Sequence, residues 1–101
     1  MPILDAFHRR QKIRFVSARG EAGACNMADA YARLTGKVGV FFTTRGPGAM
    51  NAAHAIHIAE HDSVPLIMFV GQVARDMKER EAFQELDYKA VFGTMAKWVT
   101  V

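Results

Sequence analysis

Three features of the sequence predict an α/β fold built on a mostly parallel sheet. Short apolar runs alternate with stretches of helical periodicity, the pattern left by strand–helix crossovers. The run Val38–Phe42 is apolar except for Gly39, as expected of a strand covered on both faces. It leads through Thr43 and Thr44 into Arg45-Gly46-Pro47-Gly48 and then a helical stretch, 49–60. Crossovers of this kind are right-handed, which implies a three-layer, doubly wound arrangement. In such sheets ligands bind at the carboxyl ends of the strands, which is where the Gly-Pro-Gly turn falls.

Each element has its own local reason. Pro2 suits a first helical turn, Ile3, Leu4, Ala6 and Phe7 share one face, and Arg9 and Arg10 suit the negative end of a short helix. Ile13, Phe15 and Val16 predict a brief strand in the segment IRFVSA. The stretch Glu21–Thr35 reads as a helix rich in small residues, with Met27, Tyr31 and Leu34 at helical spacing. Gly36 is placed to end it in the left-handed conformation. Pro47 fits a first helical turn because its missing donor would have no partner there. Asp62-Ser63 make a turn, and Pro65–Val70 reads as a further strand that opens on proline. The mixed-charge stretch Arg75–Asp87 is expected to be part helix and part loop, and Ala96–Val101 a last strand. A sheet this small leaves unprotected edges. We therefore expect 1–101 to be a single, incomplete domain, a piece of something longer.

Composition narrows the function classes. With 101 residues, half apolar and 23% charged, the chain reads as a folded, soluble domain. A net charge of +3 gives no case for nucleic acid, although Arg9, Arg10, Lys12, Arg14 and Arg19 make the first fifth basic. The apolar run 64–70 falls far short of the roughly 20 residues needed to span a bilayer, and no membrane partner is expected. One cysteine, Cys25, allows no internal disulfide, which fits a reducing, cytoplasmic location.

Candidate chemistry is sparse. Gly46-Pro47-Gly48 lacks the third glycine of a dinucleotide turn, and no Gly-Lys-Ser/Thr phosphate loop is present. His54, His57 and His61 share a helical stripe, which reads first as a partly buried or interface-facing surface and only second as a metal site. Cys25 sits among alanines with no base beside it in sequence. Glu21 stands out: it lies just past the expected first strand, at the start of a helix whose dipole tolerates its charge. A carboxylate there, beside a glycine turn that allows close approach, could bind a ring nitrogen and exchange a proton with it.

Six segments, taken together and in order, carry a resemblance: Arg19-Gly20-Glu21-Ala22-Gly23-Ala24, Met27–Gly36, Thr44–Asn51, Asp62-Ser63-Val64-Pro65, Gly71-Gln72-Val73 and Ala82–Asp87. At these separations the chain resembles the pyrimidine-binding domain of thiamine diphosphate enzymes, specifically the acetohydroxyacid synthase (acetolactate synthase) group. The match covers nearly everything from Ile13 onward.

The resemblance implies that Glu21 hydrogen-bonds a pyrimidine nitrogen of thiamine diphosphate. The shared proton favours the imino tautomer of the ring and so activates the cofactor toward a 2-oxo acid. Such proton sharing calls for a poorly solvated carboxylate with a raised pKa. By the same resemblance Gly46, Pro47, Gly48 and Asn51 approach the cofactor, while Phe83 and Gln84 reach the reacting centre. Gln72 lies near the cleft or, in flavin-containing members, near FAD, which makes FAD a possible second cofactor. Mg2+ would be held by a diphosphate domain outside this chain, so no metal ligand is expected here. The implied activity is 2-oxo acid decarboxylation or carboligation in a homo-oligomer, dimer or tetramer, that shares its active sites. Departures are Gly20 where many relatives have histidine, Arg45 where serine is common, and Met50 where threonine is common. Two alternatives stand beside this reading: a non-catalytic module that captures an anion at Arg45 and the helix start, and an inactive truncated fragment.

Overall fold

The computed structural model describes residues 2–10 and 12–101. In chain order it comprises α1 (Pro2–Arg10), α2 (Glu21–Thr35), β1 (Gly39–Thr44), α3 (Gly46–His61), β2 (Leu66–Gly71), a 3-10 turn (Arg75–Met77) and α4 (Tyr88–Phe92). β1 and β2 pair in parallel, with Gly39 opposite Leu66 and Thr44 opposite Gly71, and α3 is the crossover between them. The α/β class and the parallel sheet are therefore as the sequence predicts.

Two expected strands are absent. IRFVSA and 96–101 run as irregular chain, with Ile13, Phe15 and Val16 at 63%, 51% and 56% exposure. A strand exists through the ladder it makes with a neighbour, and among the described residues neither segment has one. Apolar content alone does not supply it. Burial along β1 alternates strictly, so the expectation of a strand covered on both faces also needs correction. Phe41 points into the core while Val40 and Phe42 point away. The register puts Val40 beside Ile67 and Phe42 beside Phe69, which makes the outer face continuous and apolar. Phe42 and Phe69 stack at 5.0 Å, and Phe7 of α1 meets Phe42 edge-on at 6.0 Å. That contact is the beginning of a third layer, and a thin one.

The inner face carries α2 and α3 together. Cys25 and Ala28 of α2, Phe41 of β1, and Ala52 and Ala55 of α3 form one buried cluster, with Leu66 and Met68 against it. Alanines let the helices approach each other and the sheet closely, but each buries little area, so stability rests on fit more than on apolar bulk. A second cluster joins Ala49 to Tyr88 and Phe92, which anchors α4 under the carboxyl end of the sheet. α4 is an element the periodicity does not predict, although it carries a local signal: Asp87 caps it, accepting from the Ala90 amide at 3.0 Å. α2 begins and ends where the sequence places it, and Gly36 closes it with φ 68°. α3 starts three residues earlier than expected, because Gly46, Pro47 and Gly48 form its first turn instead of a separate loop.

Candidate functional site

Two helix beginnings meet at the carboxyl end of β1. Glu21 opens α2 and Gly46–Gly48 open α3, and the close packing of the two helices brings these starts together. Gly48 lies directly beneath the Glu21 side chain. A Cβ on Gly48 would stand 3.2 Å from Glu21 Oε1 and 3.4 Å from its Cγ, so the missing side chain is what makes room for the carboxylate. One helical turn along α3, Asn51 Nδ2 donates to Glu21 Oε2 at 3.1 Å. The glutamate is half-buried and Asn51 exposed, so the pair faces outward from the end of the sheet.

This geometry corrects one expectation. The Glu21 carboxyl is held below its ordinary pKa, chiefly by the Asn51 amide and then by a backbone hydrogen bond. Burial pushes in the other direction and is outweighed. The raised pKa expected of a dry site is therefore not a property of this chain by itself, because nothing described here covers the carboxylate.

The loop after the 3-10 turn docks on the same helix start. Arg45 Nη1 donates to the Phe83 carbonyl at 3.0 Å, and the Gly46 amide donates to the Gln84 carbonyl at 2.9 Å. A Cβ on Gly46 would lie 2.9 Å from that same carbonyl. Gln84 takes a positive φ of 64°, an uncommon backbone state for a side-chain-bearing residue, fixed here by the hydrogen bond its carbonyl accepts. Phe83 is 78% exposed, its ring free of the core. The Phe83 carbonyl is thus held by the Arg45 side chain and the Gln84 carbonyl by the Gly46 amide, and no sequence spacing signals either bond. Arg45, the anchor of the anion-capture alternative, spends one guanidinium donor on the loop.

Gln72 is placed differently. Its Oε1 accepts from the Val73 amide at 2.9 Å, and it lines a cavity of about 710 Å³ between the end of β2 and the 78–89 segment, whose lining does not include Glu21. Tyr88, also in that lining, donates its hydroxyl to the Gly71 carbonyl at 3.2 Å, and burial raises its pKa. The structure therefore gathers Glu21, Gly46, Gly48 and Asn51 into one site, with Pro47 in the same turn and Phe83 and Gln84 on its border. Gln72 belongs to a neighbouring cavity.

Cys25 is fully buried, and burial with the nearby Asp29 charge pushes its thiol up to about 11, which removes it as a nucleophile. The histidine stripe on α3 is exposed throughout, so the partly buried alternative for it does not hold. Among the described residues no helix is long and apolar enough to cross a membrane.

Comparison with known proteins gives this geometry a context. The family described as thiamine pyrophosphate enzyme, N-terminal TPP binding domain, matches residues 1–91. The chain is 40% identical over 98 residues to the acetolactate synthase catalytic subunit, mitochondrial, of Saccharomyces cerevisiae, covering 97% of this chain and 14% of that protein. It is 43% identical over 98 residues to the acetolactate synthase large subunit of Lactococcus lactis, covering 97% and 17%. With the large subunit of Porphyra purpurea it shares 46% over 96 residues, covering 92% and 16%. A solved structure described as a thiamin diphosphate-dependent enzyme from Mycobacterium smegmatis superposes with a TM-score of 0.76 at 28% identity, over 82% of this chain and 16% of that one. The chain thus spans about a sixth of the length of the proteins it matches.

Proposed function

We propose, from the premise that this chain belongs to the thiamine pyrophosphate enzyme N-terminal TPP binding domain family, that it supplies the pyrimidine-binding wall of a thiamine diphosphate-dependent 2-oxo acid carboligase or decarboxylase of the acetolactate synthase kind. The observation that carries the proposal is the Glu21 carboxylate seated on Gly48, with one oxygen tied to Asn51, at the carboxyl end of β1.

The residues present suit the cofactor's aminopyrimidine ring. A carboxylate whose floor is a glycine leaves space for a flat ring to come edge-on to it. Gly46, Pro47 and Gly48 present a side-chain-poor helix start beside it. Asn51 holds Oε2 and so fixes the plane of the carboxylate, leaving Oε1 as the atom to meet a ring nitrogen. The start of α2 favours the ionised form, so Glu21 meets the ring as a base ready to share a proton. When the rest of the site closes over it, desolvation grows while the Asn51 bond persists. The carboxyl pKa then moves upward toward the range in which a proton is readily passed in either direction. The cofactor, when bound, supplies the carbanion stabilisation that decarboxylation and ligation of 2-oxo acids require. Phe83 and Gln84, held through their carbonyls by the Arg45 guanidinium and the Gly46 amide respectively, border the space where substrate would lie.

The reading extends to residues beyond this chain. Mg2+ would be held there, FAD would lie toward Gln72, and the working enzyme would be a dimer or tetramer whose subunits share active sites. The 101-residue chain alone would then be inactive. In the full-length protein Glu21→Gln is expected to lower thiamine diphosphate-dependent turnover of 2-oxo acids by about two to four powers of ten. Turnover close to that of the unsubstituted enzyme would remove Glu21 from this role.

A further inference from the structure

The last turn of α3 carries a second chemical grouping, set apart from the Glu21 site by most of the helix. His57, Glu60 and His61 occupy positions i, i+3 and i+4, which places all three on one face. One donor atom from each lies within 4.8 Å of the other two, and all three side chains are exposed. The imidazole rings of His57 and His61 have centroids 4.3 Å apart, tilted by 45°. His61 Nε2 stands 3.4 Å from Glu60 Oε2. A tetrahedral ion bound at about 2.0–2.1 Å would hold its donors about 3.3–3.4 Å apart. The His61–Glu60 pair already meets that spacing, and exposed side chains can close the remainder by small rotations.

We propose that His57, Glu60 and His61 form a surface site for a divalent transition-metal ion of the zinc class. Two imidazole nitrogens and one carboxylate oxygen make a borderline donor set that suits Zn2+, Co2+, Ni2+ or Cu2+, and disfavours Mg2+ and Ca2+, which take oxygen donors. Water fills the remaining position, since three protein ligands leave a tetrahedral ion one open vertex. The carbonyl end of α3 adds favourable potential for a cation. His54, one turn earlier, lies outside the group. Asp62, just past the helix, is engaged by Arg33 Nη2 at 2.7 Å and so is not the fourth ligand. Because the three donors converge only when residues 57–61 are helical, the ion binds the folded state preferentially and staples the final turn of α3.

Calorimetric titration of the 101-residue chain with ZnCl2, in a buffer that does not chelate metals, tests the site. The expected result is one ion per chain. His57→Ala and His61→Ala should each weaken binding by at least the about 10- to 100-fold that loss of an outer-sphere partner costs a metal site. His54→Ala should leave affinity unchanged. Co2+ in place of Zn2+ should give visible absorption of tetrahedral character that both substitutions abolish. Circular dichroism without metal checks that each variant keeps its helix, and His57→Gln and His61→Gln serve if an alanine variant does not. Absence of Zn2+ binding, or binding that survives both substitutions, or binding that follows His54 instead, would overturn the proposal.

Discussion

Glu21 and Asn51 lie 30 positions apart in the chain and meet because two helices begin at the same end of a strand. Their contact sets the charge state of the site. Asn51→Ala should move the Glu21 carboxyl titration upward, toward the ordinary carboxylate value, as followed by side-chain carboxyl NMR; an unmoved titration would show that Asn51 is not the cause. The sign for stability follows from the depressed pKa. The contact stabilises the fold above the usual carboxylate range, and that contribution disappears as pH falls through the lowered value. It is small, since the bond faces solvent. At this scale the sequence was informative about residue types and silent about pairings. Glu21 at a helix start and the Gly-Pro-Gly turn could both be picked out. That Asn51 would tie down Glu21, or that Arg45 would donate to the Phe83 carbonyl 38 positions away, depends on how the elements pack, and no local pattern encodes it.

The elements that were legible are those whose ends are set by local chemistry. α2 stops at Gly36 because that residue takes the left-handed conformation needed to return its amide to the Ala32 carbonyl. α3 begins at Gly46 because a proline in the first turn costs no hydrogen bond. Strands need a neighbour to pair with: β1 and β2 find one in each other, as expected, whereas IRFVSA and 96–101 have none among the described residues and run irregularly. Helix–sheet contact has its own tight point at Gly39. A Cβ there would run into the Ala28 carbonyl and stand 2.7 Å from Leu66 Cδ2. Backbone cannot yield as a side chain does, so Gly39→Ala should force α2 away from β1. A loss of about 1–3 kcal/mol is expected, the usual cost of overpacking a core, measurable as a lower urea midpoint. An unchanged midpoint would mean that the helix is not held against the strand in solution.

As a whole the molecule is finished on one face of its sheet and bare on the other. Val40, Phe42, Ile67 and Phe69 form an apolar surface that, among the described residues, Phe7 and its neighbours partly shade. A surface of this kind is where chains associate. Light scattering should show concentration-dependent association of the isolated chain, reduced by Phe42→Ser with Phe69→Ser at little cost in helix content. Association of equal strength in the double variant would place the adhesive surface elsewhere. The opposite face has a different consequence. Cys25, sealed between α2 and the sheet, is the one sulfhydryl in the sequence. A thiol-specific dye can reach it only in the moments when the helix lifts, so the speed of colour development becomes a clock for native-state breathing, already installed and needing no engineered label.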